Sequence, residues 1–226
     1  MTHRSRSVRR LSLSLLLGVG VALALGATPV AAQSCSFDGQ IQVDPEQLAE
    51  GGAVQGNPDA DLLLVEFFDP NCPHCRRFHP VMKQVMDAHG DEVRLYKHPL
   101  PLGQFSINQI RGLLLAQQKG AYYEMVDAQL TSPHAGKDGM TIDQVVALAE
   151  DIGLDPTWMR TQLNDSSVMR AQVRRLLYNA QKAGIRSTPT LAVGRKAIVG
   201  PRSAECIGRL VEQELKAGGE EAAEGR

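Results

Sequence analysis

The sequence predicts an α/β fold in which a central strand runs directly into a cysteine-bearing helix, and a mainly helical segment separates two parts of one sheet. Three observations carry this. The run Leu62 to Phe68 is apolar except for Glu66 and has the length of a buried strand. A helical period starts at once after it, at Pro73. Two further strand-like runs, near 93–97 and 190–199, enclose a stretch at about 104–165 whose apolar residues recur every three or four positions.

The chain before that core divides into two parts. Residues 1–32 carry Arg4, Arg6, Arg9 and Arg10, an apolar run from Leu11 to Ala27, and the small-residue pattern Val30–Ala31–Ala32. This is the pattern of a secretory signal peptide cleaved after Ala32. A retained membrane anchor and a lipid attached through Cys35 are the alternatives. Cleavage removes four arginines and no acid, leaving 20 basic against 25 acidic side chains, a charge of −5. No basic face recommends nucleic acid as a partner. Residues 33–52 form an N-terminal arm with a short helix over Pro45–Ala49, and Ala53–Val54–Gln55 reads as an edge strand.

Pro70 and Asn71 are turn residues, Pro73 suits the first helical position, and the pattern Phe78, Val81, Met82, Val85, Met86, His89 carries the helix to Gly90. Val93 to Lys97 alternates as a strand, ended by Pro99 and Pro101. In the insert, Ile107, Ile110, Leu114 and Gln117 share one helix face, and Met125, Val126, Gln129 and Leu130 suggest a second helix. Residues 132–139 form a loop containing His134. Thr141 and Gln144 make a capping box, and Asp155–Pro156 opens a short helix around Trp158, which reads as packing or as a ligand platform. Ser166 to Ala183 is a long helix with Met169, Val173, Leu176, Leu177 and Ala180 inward. Its outward Arg170, Arg174, Arg175 and Lys182 read as a solvated face or a docking patch. Thr190–Val193 and Ala197–Val199 form a hairpin. Ser203 caps a last helix with Ile207, Leu210, Val211 and Leu215 inward, ending the domain at 217. Residues 218–226 read as a disordered tail.

Cys72–Pro73–His74–Cys75 holds the chemistry. Two cysteines spaced this way lie one helical turn apart and can close a small disulfide. Cys72 falls at the helix N-terminus, where free N–H groups and the dipole favour an anion. The thiolate is the reactive form of cysteine, so a depressed pKa is expected at Cys72, with His74 adding charge or a hydrogen bond. Cys75, one turn deeper, is the resolving partner. Zinc or copper binding is the competing reading, but a zinc site needs three or four protein ligands and no second C-x-x-C is present. A purely structural disulfide is a further alternative, weakened by how little chain entropy so small a loop removes.

The order strand, C-x-x-C helix, strand, helical insert, helix, hairpin, helix, with Val65–Glu66–Phe67–Phe68–Asp69 before the cysteines and Ser187–Thr188–Pro189–Thr190 before a strand, resembles the thioredoxin fold. More narrowly, it resembles the DsbA-like family of exported thiol–disulfide oxidoreductases, over roughly residues 53–217. The resemblance implies that Cys72 attacks and Cys75 resolves. It implies a cis bond between Thr188 and Pro189, both lying against the cysteines and offering backbone groups to an extended substrate, with a trans turn as the alternative. It implies that Glu66 is a buried acid relaying protons to Cys75, with Lys97 its partner; a plain salt bridge is the other reading of that pair.

No cofactor is expected beyond the redox-active disulfide Cys72–Cys75. The implied function is a dithiol oxidase of the periplasm, acting on cysteine-containing exported proteins and reset by a membrane or soluble redox partner. A disulfide isomerase or reductase of the same fold is the rival, and a periplasmic copper-binding protein the reading from another class. Cys35 and Cys206 remain. Leftover cysteines in an oxidising compartment tend to pair, so a structural disulfide between them is expected, against intermolecular pairing or two free thiols.

Overall fold

The computed structural model describes residues 35–136 and 138–224. The segment 1–32, with its signal-peptide pattern, lies outside the described residues, as do Gln33, Ser34, Lys137 and the last two residues of the tail. Among the described residues no helix is long and apolar enough to cross a membrane.

The Leu62–Phe68 run forms a strand at the middle of the sheet and is almost wholly excluded from water, with Glu66 as buried as its apolar neighbours. In chain order the elements are β1 (Gly39–Gln40), α1 (Pro45–Ala49), β2 (Val54–Gly56), β3 (Leu62–Phe68), α2 (Pro73–His89) and β4 (Val93–Pro99). There follow α3 (Ile107–Gln117), α4 (Tyr122–Thr131), α5 (Ile142–Asp151), α6 (Pro156–Asn164), α7 (Arg170–Lys182), β5 (Thr190–Val193), β6 (Lys196–Val199) and α8 (Ala204–Glu224). The sheet order is β1-β6-β5-β3-β4-β2. Among the described strands only β3 and β4 run parallel, with Glu66 opposite Lys97; the other pairings are antiparallel.

Strand alternation sorts the two faces of β3. Leu63, Val65 and Phe67 pack with Leu48 of α1 and Ala180 of α7. Leu64 packs with Phe78 and Met82 of α2 and Ile207 of α8. Phe68 packs with Cys72 and Cys75. Glu66 lies between Leu64 and Phe68 on this second face, so it points under α2.

The insert departs from its predicted single face. Ile107 and Leu114 are only partly buried, while Gln109, Ile110, Arg111, Gly112, Leu113, Leu115 and Ala116 are fully buried. The reason is that α3 is the centre of the insert, packed by α4, α5, α6 and α7, so it needs no polar face. Gly112 permits the approach of α5: a Cβ there would sit 2.6 Å from Val145 Cγ1. Arg111 is tolerated because its guanidinium donates to the carbonyls of Gln162, Leu163, Asp165 and Val168 at the end of α6 and beyond.

Other boundaries differ from the sequence reading for local reasons. α7 begins at Arg170, four residues late, because Met169 adopts φ 62°, outside helical geometry. Leu177, expected inward, is 40 % exposed, since Val173, Leu176 and Ala180 already fill the narrow buried stripe. α8 runs through Gly218 and Gly219 to Glu224, past the predicted end at 217; the glycines cost about 1 kcal/mol each and the flanking Glu and Ala residues favour helix. β1, two residues long, carried no sequence signal, and it seats the arm against β6. Cys35 and Cys206 are disulfide-bonded, Cα to Cα 5.5 Å, tying the arm to α8.

Candidate active site

Cys72 is the N-cap residue of α2, with extended φ and ψ and no side-chain cap bond of its own. Pro73 follows in the first helical position, where the missing amide is no loss. The amides of His74 and Cys75 therefore point back at the Cys72 sulfur. Cys72 retains 8 % of its surface and Cys75 none.

The two thiols separate widely. The Cys72 pKa is lowered from 9.0 to about 5, first by a hydrogen bond from the Cys75 thiol, then by Thr188 and the two amides, against the opposing effect of burial. The Cys75 thiol is pushed well above its ordinary value, first by burial and then by the neighbouring Cys72 sulfur. One group donates to the other, so stabilising a thiolate on Cys72 is the same interaction that keeps the proton on Cys75.

The loop before β5 closes the site from the other side. The Thr188–Pro189 bond is cis, and the Thr188 carbonyl lies 3.5 Å from Cys72 Sγ. The buried Thr188 hydroxyl has no hydrogen-bond partner, and Thr188 lowers the pKa of both sulfurs. His74 is exposed, and its Nδ1 faces Arg77 Nη2 at 3.0 Å; the amide of His74, rather than its ring, acts on the Cys72 sulfur.

Beneath α2, Lys97 Nζ and Glu66 Oε2 form a buried ion pair, and Glu66 Oε1 is left with no partner. β3 and β4 place these two side chains by register alone. The Tyr122 hydroxyl donates to the Lys97 carbonyl and the Tyr123 hydroxyl to that of Leu95, anchoring α4 to the same strand.

A second polar group escaped the sequence reading. Asp69, buried, accepts from the Asn71 and Leu102 amides at 2.8 and 2.7 Å and from the Ser106 hydroxyl at 2.7 Å. Asn71 Nδ2 donates to Gln109 Oε1 at 2.5 Å, and Asn71 Oδ1 accepts from the Gly136 amide at 3.2 Å. Arg76 donates to the carbonyls of Leu130, Ser132 and Ala135. This network sews the cysteine loop to the helical insert. Asn71 was legible only as a turn residue, because the partners of its side chain lie 35 or more positions away. Among the described residues no group of three His, Cys, Asp or Glu side chains is arranged to hold a metal ion.

An acidic thiol touching a buried one, beside the Thr188 carbonyl, is equipped for thiol–disulfide exchange. Fold and site together define a thioredoxin-fold protein with a paired-cysteine centre. The chain belongs to the thioredoxin family, whose model matches residues 48–213. It is similar to the thioredoxin-like oxidoreductase of Silicibacter pomeroyi DSS-3, whose crystal structure superposes with a TM-score of 0.67 at 29 % identity, covering 77 % of this chain and 99 % of that one. It is 22 % identical over 196 residues to the thiol:disulfide interchange protein DsbA of Burkholderia cepacia, covering 86 % of this chain and 88 % of that protein. It is also 29 % identical over 174 residues, or 75 % of its length, to a Na(+)/H(+) antiporter NhaA 1 of Mycobacterium sp. (strain KMS). The chain spans only about a quarter of the length of that antiporter, 27 %.

Proposed function

We propose that this chain is an exported thiol–disulfide oxidoreductase that exchanges the Cys72–Cys75 disulfide with cysteines of folding proteins, and that it runs as a dithiol oxidase. The observation that carries the reading is the separation of the two thiols: Cys72 at about 5, Cys75 far above. A low pKa makes Cys72 a good leaving group, and that favours handing the disulfide on.

In the oxidised protein, a client thiolate attacks the Cys72 sulfur. The Cys72–Cys75 bond breaks, Cys75 leaves and takes a proton, and a client–Cys72 mixed disulfide forms. A second client thiolate then attacks the client sulfur of that bond. The client departs oxidised, and Cys72 departs as a stabilised thiolate. Because burial disfavours a Cys75 thiolate, its departure needs a proton; the buried Glu66–Lys97 pair under α2 is assigned the role of relaying it. Thr188 and Pro189 border the exposed edge of Cys72 and offer backbone to the client. His74 supplies its amide to the sulfur. No cofactor beyond the cysteine pair is assigned.

The Cys35–Cys206 disulfide supports a periplasmic or otherwise oxidising location, and the 1–32 pattern supplies the export route. Partners are then cysteine-containing exported proteins and a redox protein, soluble or in the membrane, that reoxidises the pair.

Equilibration against glutathione tests the direction. A potential far above that of thioredoxin, about −270 mV, is expected. A value near thioredoxin's makes the chain a reductase.

A further inference from the structure

Glu66, once it has given or taken a proton, is sealed from water by β3, β4 and α2, so the proton needs a way out. A cleft of about 530 Å³ opens on the surface beside this pair, with Lys97 in its wall. His79 lines the same cleft, one turn beyond Cys75 on α2. Its Nε2 lies 2.9 Å from Asp127 Oδ1 on α4. Its Nδ1 is buried and has no partner, as is Glu66 Oε1. Each such orphaned, proton-accepting atom costs stability, and Glu66 acts electrostatically on His79. The cleft, with His79 and Lys97 in its wall, is roomy and polar enough for water to link the His79 ring to the Lys97 end of the pair.

We propose that His79, paired with Asp127, is the exit station of a proton path from the Glu66–Lys97 pair through this cleft to bulk solvent. The inference rests on the role assigned to Glu66 above. When Cys75 attacks a Cys72–peptide mixed disulfide, its S–H bond breaks and the proton passes to Glu66. The Cys72–Cys75 bond forms, the peptide sulfur leaves as a thiolate, and electrons balance between the two sulfurs exchanged. The proton on Glu66 then passes by way of Lys97, which lines the cleft, to His79 Nδ1. His79 releases the proton on Nε2 to Asp127, whose half-exposed side chain returns it to water. In the oxidising direction the same path runs inward.

The charges around His79 suit a relay. Burial and Lys97 on β4 lower its pKa, while Asp127 and Glu66 raise it, so the ring stays neutral and ready to accept. The His79 hydrogen bond holds the Asp127 carboxyl below its ordinary range, and Lys83, on the same helix as His79 and 3.2 Å from Asp127, adds to it.

The test is stopped-flow release of a fluorescent peptide from a preformed Cys72–peptide disulfide, on the mature chain. His79→Ala should slow release about tenfold, less than the loss of a direct general acid or base. Added imidazole should restore the rate through the opened cleft, while the equilibrium potential stays unchanged. Asp127→Asn, a surface change that leaves the core intact, should slow the same step. If His79→Ala slows release but imidazole does not restore it, the effect is structural and the proposal fails. If both variants release at the normal rate while Glu66→Gln is slow, the exit path is wrong and the Glu66 role stands. If Glu66→Gln is also normal, both are wrong.

Discussion

The molecule holds two cysteine pairs, and they are built on opposite principles. Cys72 and Cys75 are three residues apart at the start of α2; Cys35 and Cys206 are 171 apart and join the arm to α8. A bond between the near pair closes almost no loop, so its stability is set by which sulfur tolerates charge. A bond between the distant pair closes nearly the whole domain, so its stability is set by chain entropy. Position along a helix decides which kind a cysteine becomes. Cys72 is the cap itself, with amides aimed at its sulfur, whereas Cys206 lies inside its helix and its own amide is satisfied by Ser203 Oγ at 3.2 Å.

Removing sulfur from each pair gives the strongest contrast. Cys72→Ser should abolish exchange with a dithiol peptide. Cys75→Ser should accumulate mixed disulfides between Cys72 and disulfide-bearing clients, visible on a non-reducing gel, since no Cys75 thiol is left to displace the client. The double change Cys35→Ala, Cys206→Ala should do neither. Its cost is stability: the chain-entropy relation gives about 5 kcal/mol for a loop of this size, an upper figure for real proteins. Urea unfolding of the oxidised double variant measures it, and a loss below about 1 kcal/mol would remove the entropic account of this bond.

The near pair should instead reveal itself through pH. In the reduced protein the Cys72 pKa falls from 9.0 to about 5 on folding. Between those values the unfolded chain binds the extra proton, so reduced-state stability rises with pH across this window and the gain is lost as pH falls through 5. The Cys75 shift acts only above pH 9 and opposes it there. At pH 7 the reduced form should carry about 3 kcal/mol that the oxidised form lacks. Thermal unfolding of both forms at pH 4.5 and 7 tests this. A reduced-minus-oxidised difference that does not change with pH would mean the Cys72 thiol is ordinary.

How much of this was legible depended on how far along the chain each partner lies. The C-x-x-C helix was readable because Pro73, the cysteines and the apolar stripe are all within one helix. Thr188–Pro189 and Glu66–Lys97 came only through resemblance, since nothing local says that residue 188 meets residue 72 or that β3 and β4 are in parallel register. The Asp69–Asn71–Ser106–Gln109 network had no signal at all: each member is a common turn or helix residue, and only tertiary packing makes it a cluster. Leu177 failed for the converse reason. It continues the periodic stripe of α7, and the fold has no more core to offer it.

The finest distinction lies in how the two cysteine-bearing helices begin. α8 has a conventional start, with the Ser203 hydroxyl taking up an amide that would otherwise be unpaired. α2 lacks any such side-chain bond at Cys72, and its first amides are left for the sulfur. A capping oxygen contributes about 1 kcal/mol, so α2 forgoes that amount when its cysteine is a neutral thiol and recovers it, with more, when the thiol ionises. Ser203→Ala should therefore cost about 1 kcal/mol at every pH and leave exchange untouched. Cys72→Ser, which installs a good cap, should stabilise the protein relative to wild type only below pH 5, where Cys72 is protonated. If the serine variant were the more stable form at pH 7 as well, the amides at the head of α2 would favour any oxygen over this sulfur, and the anion argument would not hold.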